Sequence, residues 1–396
     1  MPRNSESPAL KYFTVFTAIS TLVLICIGGM VTSHGAGMAV PDWPNTYGYN
    51  MFFFPFSEWI GGVFYEHSHR LVGSFVGFLI LLLTFWLYGK RSRPWIKALG
   101  IISLVLGVVV FFKYPAKHQD GWFLVGFGFF SLVAGFIWPR CEPGDKKLRR
   151  MALIALIAVI FQGILGGVRV TAMKDELGIF HGTFAQMFFV FICAMALVQT
   201  RFWRNLEHSK QEGGAILRKL FIFTTLVVLI QLGIGATMRH QHAGLAIQDF
   251  PLAYGKLWPD TSVEAVALYN ARRIEIKDYN NITAFQIKLQ MVHRIVAAAI
   301  VVLIGASFWL TKRRFGWRNP LTRFAAFWMG LVVVQFFLGA ATIWTNKSAD
   351  IATAHVAFGA LTLLTGALLS MVALKTLHSN SAMETSIPRF ATAPAK

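Results

Sequence analysis

The sequence predicts an all-α integral membrane protein of two pseudo-repeated four-helix bundles, with about ten transmembrane helices including an inserted pair, and cytoplasmic N- and C-termini. Three observations lead there. Of 396 residues, 55% are hydrophobic and only 14% charged, and the mean hydropathy is +0.55. Apolar runs long enough to cross a hydrocarbon core recur along the whole chain. The loop Ala36–Gly48 returns as Ala243–Gly255 with seven of thirteen residues identical, and each copy is followed by a His-Arg pair at the mouth of a span.

The spans read as 12–33, 69–88, 95–112, 121–138, 151–170, 177–199, 217–238, 287–310, 321–344 and 351–374. The third and fourth are the shortest and are rich in Gly and Phe. The first resembles a signal peptide, but the motif that follows it reappears internally, after a span that cannot be a signal. It is therefore expected to be retained.

The net charge of +19 is a topology signal rather than a nucleic-acid patch. Lys90, Arg91, Arg93 and Lys97 share one connection, and Arg140, Lys146, Lys147, Arg149 and Arg150 share another. Further groups are Arg201, Arg204, Lys210, Arg218 and Lys219, then Lys312, Arg313, Arg314, Arg318 and Arg323. Alternating spans put all of them on one side with both termini, the cytoplasm by the positive-inside rule. Of the cysteines, Cys26 and Cys193 fall in spans and Cys141 in a basic connection, so no disulfide is expected in an outward loop.

The halves meet near the polar linker 199–218. Each opens with a span, a long outward loop and a His-Arg span: Glu66, His69 and Arg70, then Gln290, His293 and Arg294. Each closes with a glutamine and a histidine, Gln162 with His181 and Gln335 with His355, 19 and 20 residues apart. An even number of spans separates the copies, which makes the repeat parallel. The expected division is 1–205, 206–378 and a tail, 379–396. The extra pair within 95–138 is expected to pack on the outside of the bundle.

His69, His181, His293 and His355 all lie near the outward ends of spans. Ionisable side chains at membrane depth are costly and point to function. Zinc wants three or four convergent ligands, whereas each half offers two histidines on two helices. Two imidazoles facing across a bundle suit the axial positions of a haem iron. Small residues nearby (Gly73 and Gly77, Gly178 and Gly182, Ala297 to Ala299, Gly359 and Ala360) would let backbones approach a flat ring, although they are also ordinary packing devices. Arg70 and Arg294 could pair with haem propionates or snorkel to headgroups. His34, His67, His240 and His242 read as surface or supporting residues, and His118, His208 and His378 as bland.

Glu66 precedes His69 by three residues, so on a helix both side chains point the same way. Its counterpart Gln290 keeps shape and hydrogen bonding without charge. One half thus reads as a chemical site and the other as an electron-holding site; the plainer alternative is an interfacial carboxylate paired with Arg70.

Together these residues resemble the haem A synthase family of bacterial and mitochondrial membranes. The resemblance rests on Glu66, His69 and Arg70, the loop Gly37–Pro44, the run Gln162–Gly167 with His181, and the second-half copies through His355. It implies a haem-modifying oxidoreductase that oxidises the ring methyl of haem O to formyl through a hydroxylated intermediate, in support of cytochrome oxidase assembly. It further implies resident haem b on His293 and His355, haem O near His69 and His181, and Glu66 as the required carboxylate, stabilising positive charge or accepting a proton. The expected setting is a bacterial inner membrane, with haem sites toward the periplasmic face. Expected partners are haem O, membrane lipid, haem O synthase, cytochrome oxidase assembly factors and an unidentified electron donor, with no nucleic acid. Two departures stand out: many relatives have eight spans, and some carry a cysteine pair in an outward loop. The alternatives are a bis-histidine cytochrome b that only carries electrons, and a haem transporter or chaperone.

Overall fold

The computed structural model describes residues 7–174, 176–206, 214–273 and 281–377. His208, Lys210, His378 and the tail 379–396 lie outside these. Among the described residues, nine apolar helical stretches have the length and composition to cross a membrane. One of them, 62–113, holds two helices joined by a 3-10 turn at Gly89–Ser92. The long helices are therefore α1 (Pro8–Ser33), α2 (Gly62–Tyr88), α3 (Arg93–Lys113), α4 (His118–Ile137), α5 (Lys146–Thr171), α6 (Glu176–Val198), α7 (Ala215–His240), α8 (Ala284–Phe315), α9 (Pro320–Trp344) and α10 (Ala349–Thr376). The turn needs Gly89: its φ is +56°, and a Cβ there would lie 2.5 Å from the Cys141 carbonyl oxygen.

Helices α1, α2, α5 and α6 pack in a ring, and α7, α8, α9 and α10 repeat that ring in the same order. The rings meet through α1 on α10, α6 on α7 and α6 on α10, the pattern of two parallel copies about an axis along the membrane normal. Each ring has its own apolar core, around Ile80, Leu83 and Ile192 in the first and around Phe221, Ile304 and Trp328 in the second. Several buried threonines are satisfied within their own helices: Thr14 donates to Leu10 O and Thr21 to Thr17 O, so these hydroxyls sit in the core at little cost. Trp328, fully buried, donates through Nε1 to Thr362 O at 2.8 Å.

The inserted helices α3 and α4 pack chiefly on each other. Glycines at seven-residue spacing make this possible: a Cβ at Gly100, Gly107 or Gly128 would fall within 2.7–2.8 Å of partner-helix backbone nitrogen. The pair stands outside the first ring, tied at one end by Lys90 N donating to Cys141 O, and at the other by the first loop. There Asn50 Nδ2 donates to Asp120 Oδ1 at 2.8 Å and Asn50 N to Gln119 Oε1 at 3.1 Å.

The described parts of both long loops fold as caps on the end of the bundle opposite the basic connections. In each, an aspartate closes a turn: Asp42 accepts from Tyr47 N and Gly48 N, and Asp249 from Tyr254 N and Gly255 N. Tyr47 donates to Ala39 O, and Tyr254 to Ala246 O. Trp43-Pro44 and Phe250-Pro251 are both cis. Most residues shared by the two loops are thus those that build one turn.

Candidate functional site

The four histidines form two pairs, one per ring. His69 on α2 faces His181 on α6 with ring centroids 6.4 Å apart, and His293 on α8 faces His355 on α10 at 6.5 Å. A metal atom held at about 2 Å from one nitrogen of each imidazole fits between rings so spaced. Each histidine lies over a glycine of a neighbouring helix. A Cβ at Gly28, Gly166, Gly235 or Gly339 would approach Cε1 of His69, His181, His293 or His355 to 3.0–3.3 Å. These glycines let the imidazoles lie flat on helix backbone, and Nδ1 of all four rings is buried without a hydrogen-bond partner. Two side-chain amides brace the pairs from behind: Gln162 donates to His181 O at 2.7 Å and Gln231 to His293 O at 2.9 Å.

One cavity of about 1140 Å³ reaches both pairs. It is lined by Glu66 and Gln290 as well as by the histidines, and its walls are otherwise mainly aliphatic and aromatic. Among the described residues no cluster of three or more His, Cys, Asp or Glu side chains could hold a metal ion. The donor set is therefore two imidazoles per half, which fits haem iron and does not fit a three- or four-ligand zinc site.

Above each pair the cap is fastened to the helix by the same positions. Val40 N donates to Glu66 Oε2 at 2.9 Å, and Ile247 N to Gln290 Oε1 at 2.7 Å. Arg70 donates to the carbonyls of Asp42, Asn45 and Val40 and to Glu66 Oε1, the last a buried ion pair of 2.8 Å. Arg294 donates to Asp249 O and Leu252 O, which match Asp42 and Asn45. The carbonyl of Ile247, equivalent to that of Val40, accepts from Gln290 Nε2 instead of an arginine. Any propionate role for Arg70 and Arg294 is therefore shared with anchoring the loops.

A family model described as Cytochrome oxidase assembly protein, COX15-CtaA, matches residues 123–367, more than half of the chain. The chain belongs to this family. It is similar to the heme A synthase of Shouchella clausii, 24% identical over 376 residues that cover 93% of this chain and 98% of the relative. Similarity to the heme A synthase of Alkalihalophilus pseudofirmus is 22% over 366 residues, covering 90% and 96%. The heme A synthase COX15 of Arabidopsis thaliana is 24% identical over 322 residues, covering 80% of this chain and 58% of the relative.

In this member of the cytochrome oxidase assembly protein family, further residues border the cavity that the sequence alone did not single out. Arg169 on α5 runs beneath the first loop, where a Cβ on Gly37 would strike its guanidinium at 2.6 Å. Arg239 on α7 reaches across to the first half, donating to Gly29 O at 2.6 Å and Ser33 Oγ at 2.5 Å. His240, expected to be a surface or supporting residue, lines the cavity and packs over Gly178. His67 is fully buried, edge-on to Trp59 and beside Thr46 Oγ1 at 3.1 Å, so it belongs to the interior of the cap. His34 is exposed and stacks on Tyr65. Gly77 and Gly182 line the cavity, and a Cβ on either would meet nothing within 4 Å.

Proposed function

We propose that this protein is a heme A synthase: a haem-modifying oxidoreductase that oxidises the ring methyl of haem O to a formyl group through a hydroxylated intermediate. The observation that carries the proposal is the pair of equivalent bis-histidine sites on one cavity, with a carboxylate beside the first and an amide beside the second. The names of the relatives support the same activity. The working division is 1–205 for the substrate and 206–378 for the cofactor.

His293 and His355 would hold a resident haem b, which supplies electron transfer. His69 and His181 would hold haem O. Arg169 and Arg239, whose guanidinium groups border the cavity, are suited to haem carboxylates, while Arg70 and Arg294 keep the caps seated. Glu66 borders the cavity with both oxygens already accepting hydrogen bonds. That arrangement favours a fixed negative charge beside a carbon developing positive charge over a freely swinging base. The basic end of the bundle lies in the cytoplasm and the caps face the periplasm of a bacterial inner membrane.

Haem extraction from cells that make haem O but lack their own haem A activity tests this. The chain should produce haem A or its hydroxylated precursor. Retained haem b with neither product would leave only an electron-carrying cytochrome.

A further inference from the structure

The two halves differ along one strip of the cavity. From His69 toward the basic end, α2 presents Gly73 and Gly77 at four-residue spacing on one face. A Cβ at Gly77 would meet nothing within 4 Å, and one at Gly73 only Leu24 Cδ1 at 4.0 Å. The same positions below His293 on α8 are Ala297 and Val301, whose side chains border the cavity. The strip is bare in the first half and filled in the second.

The inserted helix α4, which has no counterpart in the second half, adds an aromatic wall to the cavity. Phe123 and Phe127 of the inserted helix α4 lie one turn apart with centroids at 6.3 Å. Phe52 of the first cap stacks on Phe123 at 4.8 Å with planes within 10°. All three rings line the cavity. Because α4 packs along α3 and hardly touches α2, an apolar slot opens between α2 and α4, continuous with the space at His69 and His181.

We propose that this slot seats the long apolar prenyl chain of the haem substrate and so selects a prenylated haem over haem b for the first half. The proposal rests on the first half being the substrate site. Two axial ligands leave a flat ring free to turn about the line between them. A chain held in the slot stops that rotation and determines which ring edge meets Glu66. Gly77, Phe123 and Phe127 are in this sense positioning residues, and the inserted pair is part of the substrate site rather than outer packing.

The test is a Soret titration of the purified full-length protein with haem O and, separately, haem b, counting only haem taken up beyond that present on purification. Wild type should bind haem O about tenfold more tightly than haem b. Gly77→Val enters open space, and Phe123→Ser/Phe127→Ser removes the wall. Both should lower haem O affinity to the haem b level with haem b uptake unchanged, while Phe123→Leu/Phe127→Leu should keep most of the preference. Equal affinities in wild type, an undiminished preference in both disruptive variants, or parallel loss of both haems would overturn the proposal. So would release of a co-purified phospholipid from the variants with the haem O preference intact, which makes the slot a lipid seat. Uptake of neither haem by wild type would instead remove the substrate-site reading beneath it.

Discussion

The two caps are fastened from the same helix positions but by different chemistry. Glu66 takes the Val40 N–H, and Gln290 takes the equivalent Ile247 N–H. The second half therefore demonstrates that an uncharged amide is sufficient to seat the loop. The negative charge of Glu66 exceeds what the architecture needs, in a cavity-lining position where burying a charge is costly. The ion pair with Arg70 offsets that cost, and Arg294 binds its loop through backbone carbonyls with no such partner among the described residues. A feature that one copy has and its structural twin manages without is best explained by what the first copy does to its ligand.

The largest expected break of this comparison is His355→Ala, which should strip the haem b proposed for the second half, read by a pyridine haemochrome assay; unaltered haem content would undo the assignment of the second half. Next comes Arg70→Ala, which leaves Glu66 buried without its cation and should cost about 3–5 kcal/mol of stability. Arg294→Ala loses hydrogen bonds and the cation–π contact with Phe250 but leaves no buried carboxylate stranded, and should cost about 1.5–3 kcal/mol. Thermal unfolding of the two variants side by side measures the gap, and equal losses would contradict the asymmetry. The smallest effect belongs to Gln290→Glu: the donor to Ile247 O is lost, worth about 1 kcal/mol, while Arg294, at the position of Arg70, offsets the new carboxylate as Arg70 does Glu66. Haem A output should stay unchanged, because the proposed substrate site lies in the first half. A rise in output in that variant would count against the division of labour.

Much of the fold was legible in the sequence because hydropathy and basic connections report the membrane directly. The ends of α2 and α8 were not. Both helices begin before their apolar runs, at Gly62 and Ala284, since Glu66, His67, Gln286 and Gln290 are helical yet face the caps. The capping box of Thr283 and Gln286 marks the true start of α8. The histidine pairing was readable from the repeat, but the glycine beneath each ring was not, because it depends on which helices adjoin. The partners of Arg70 are backbone carbonyls, which carry no signature in side-chain identity. Spacing of Gly100, Gly107, Gly121, Gly128 and Gly135 could have shown that α3 and α4 form a tight pair. Nothing in that spacing shows that Phe123 reaches the cavity.

The most direct test of the central claim is Glu66→Gln, which gives the first half the side chain of the second. Haem extraction from cells supplying haem O, with thermal unfolding of the purified protein, reads chemistry and structure together. The account predicts a folded protein of near wild-type stability that retains haem b and forms no haem A. Undiminished haem A from that variant would contradict it.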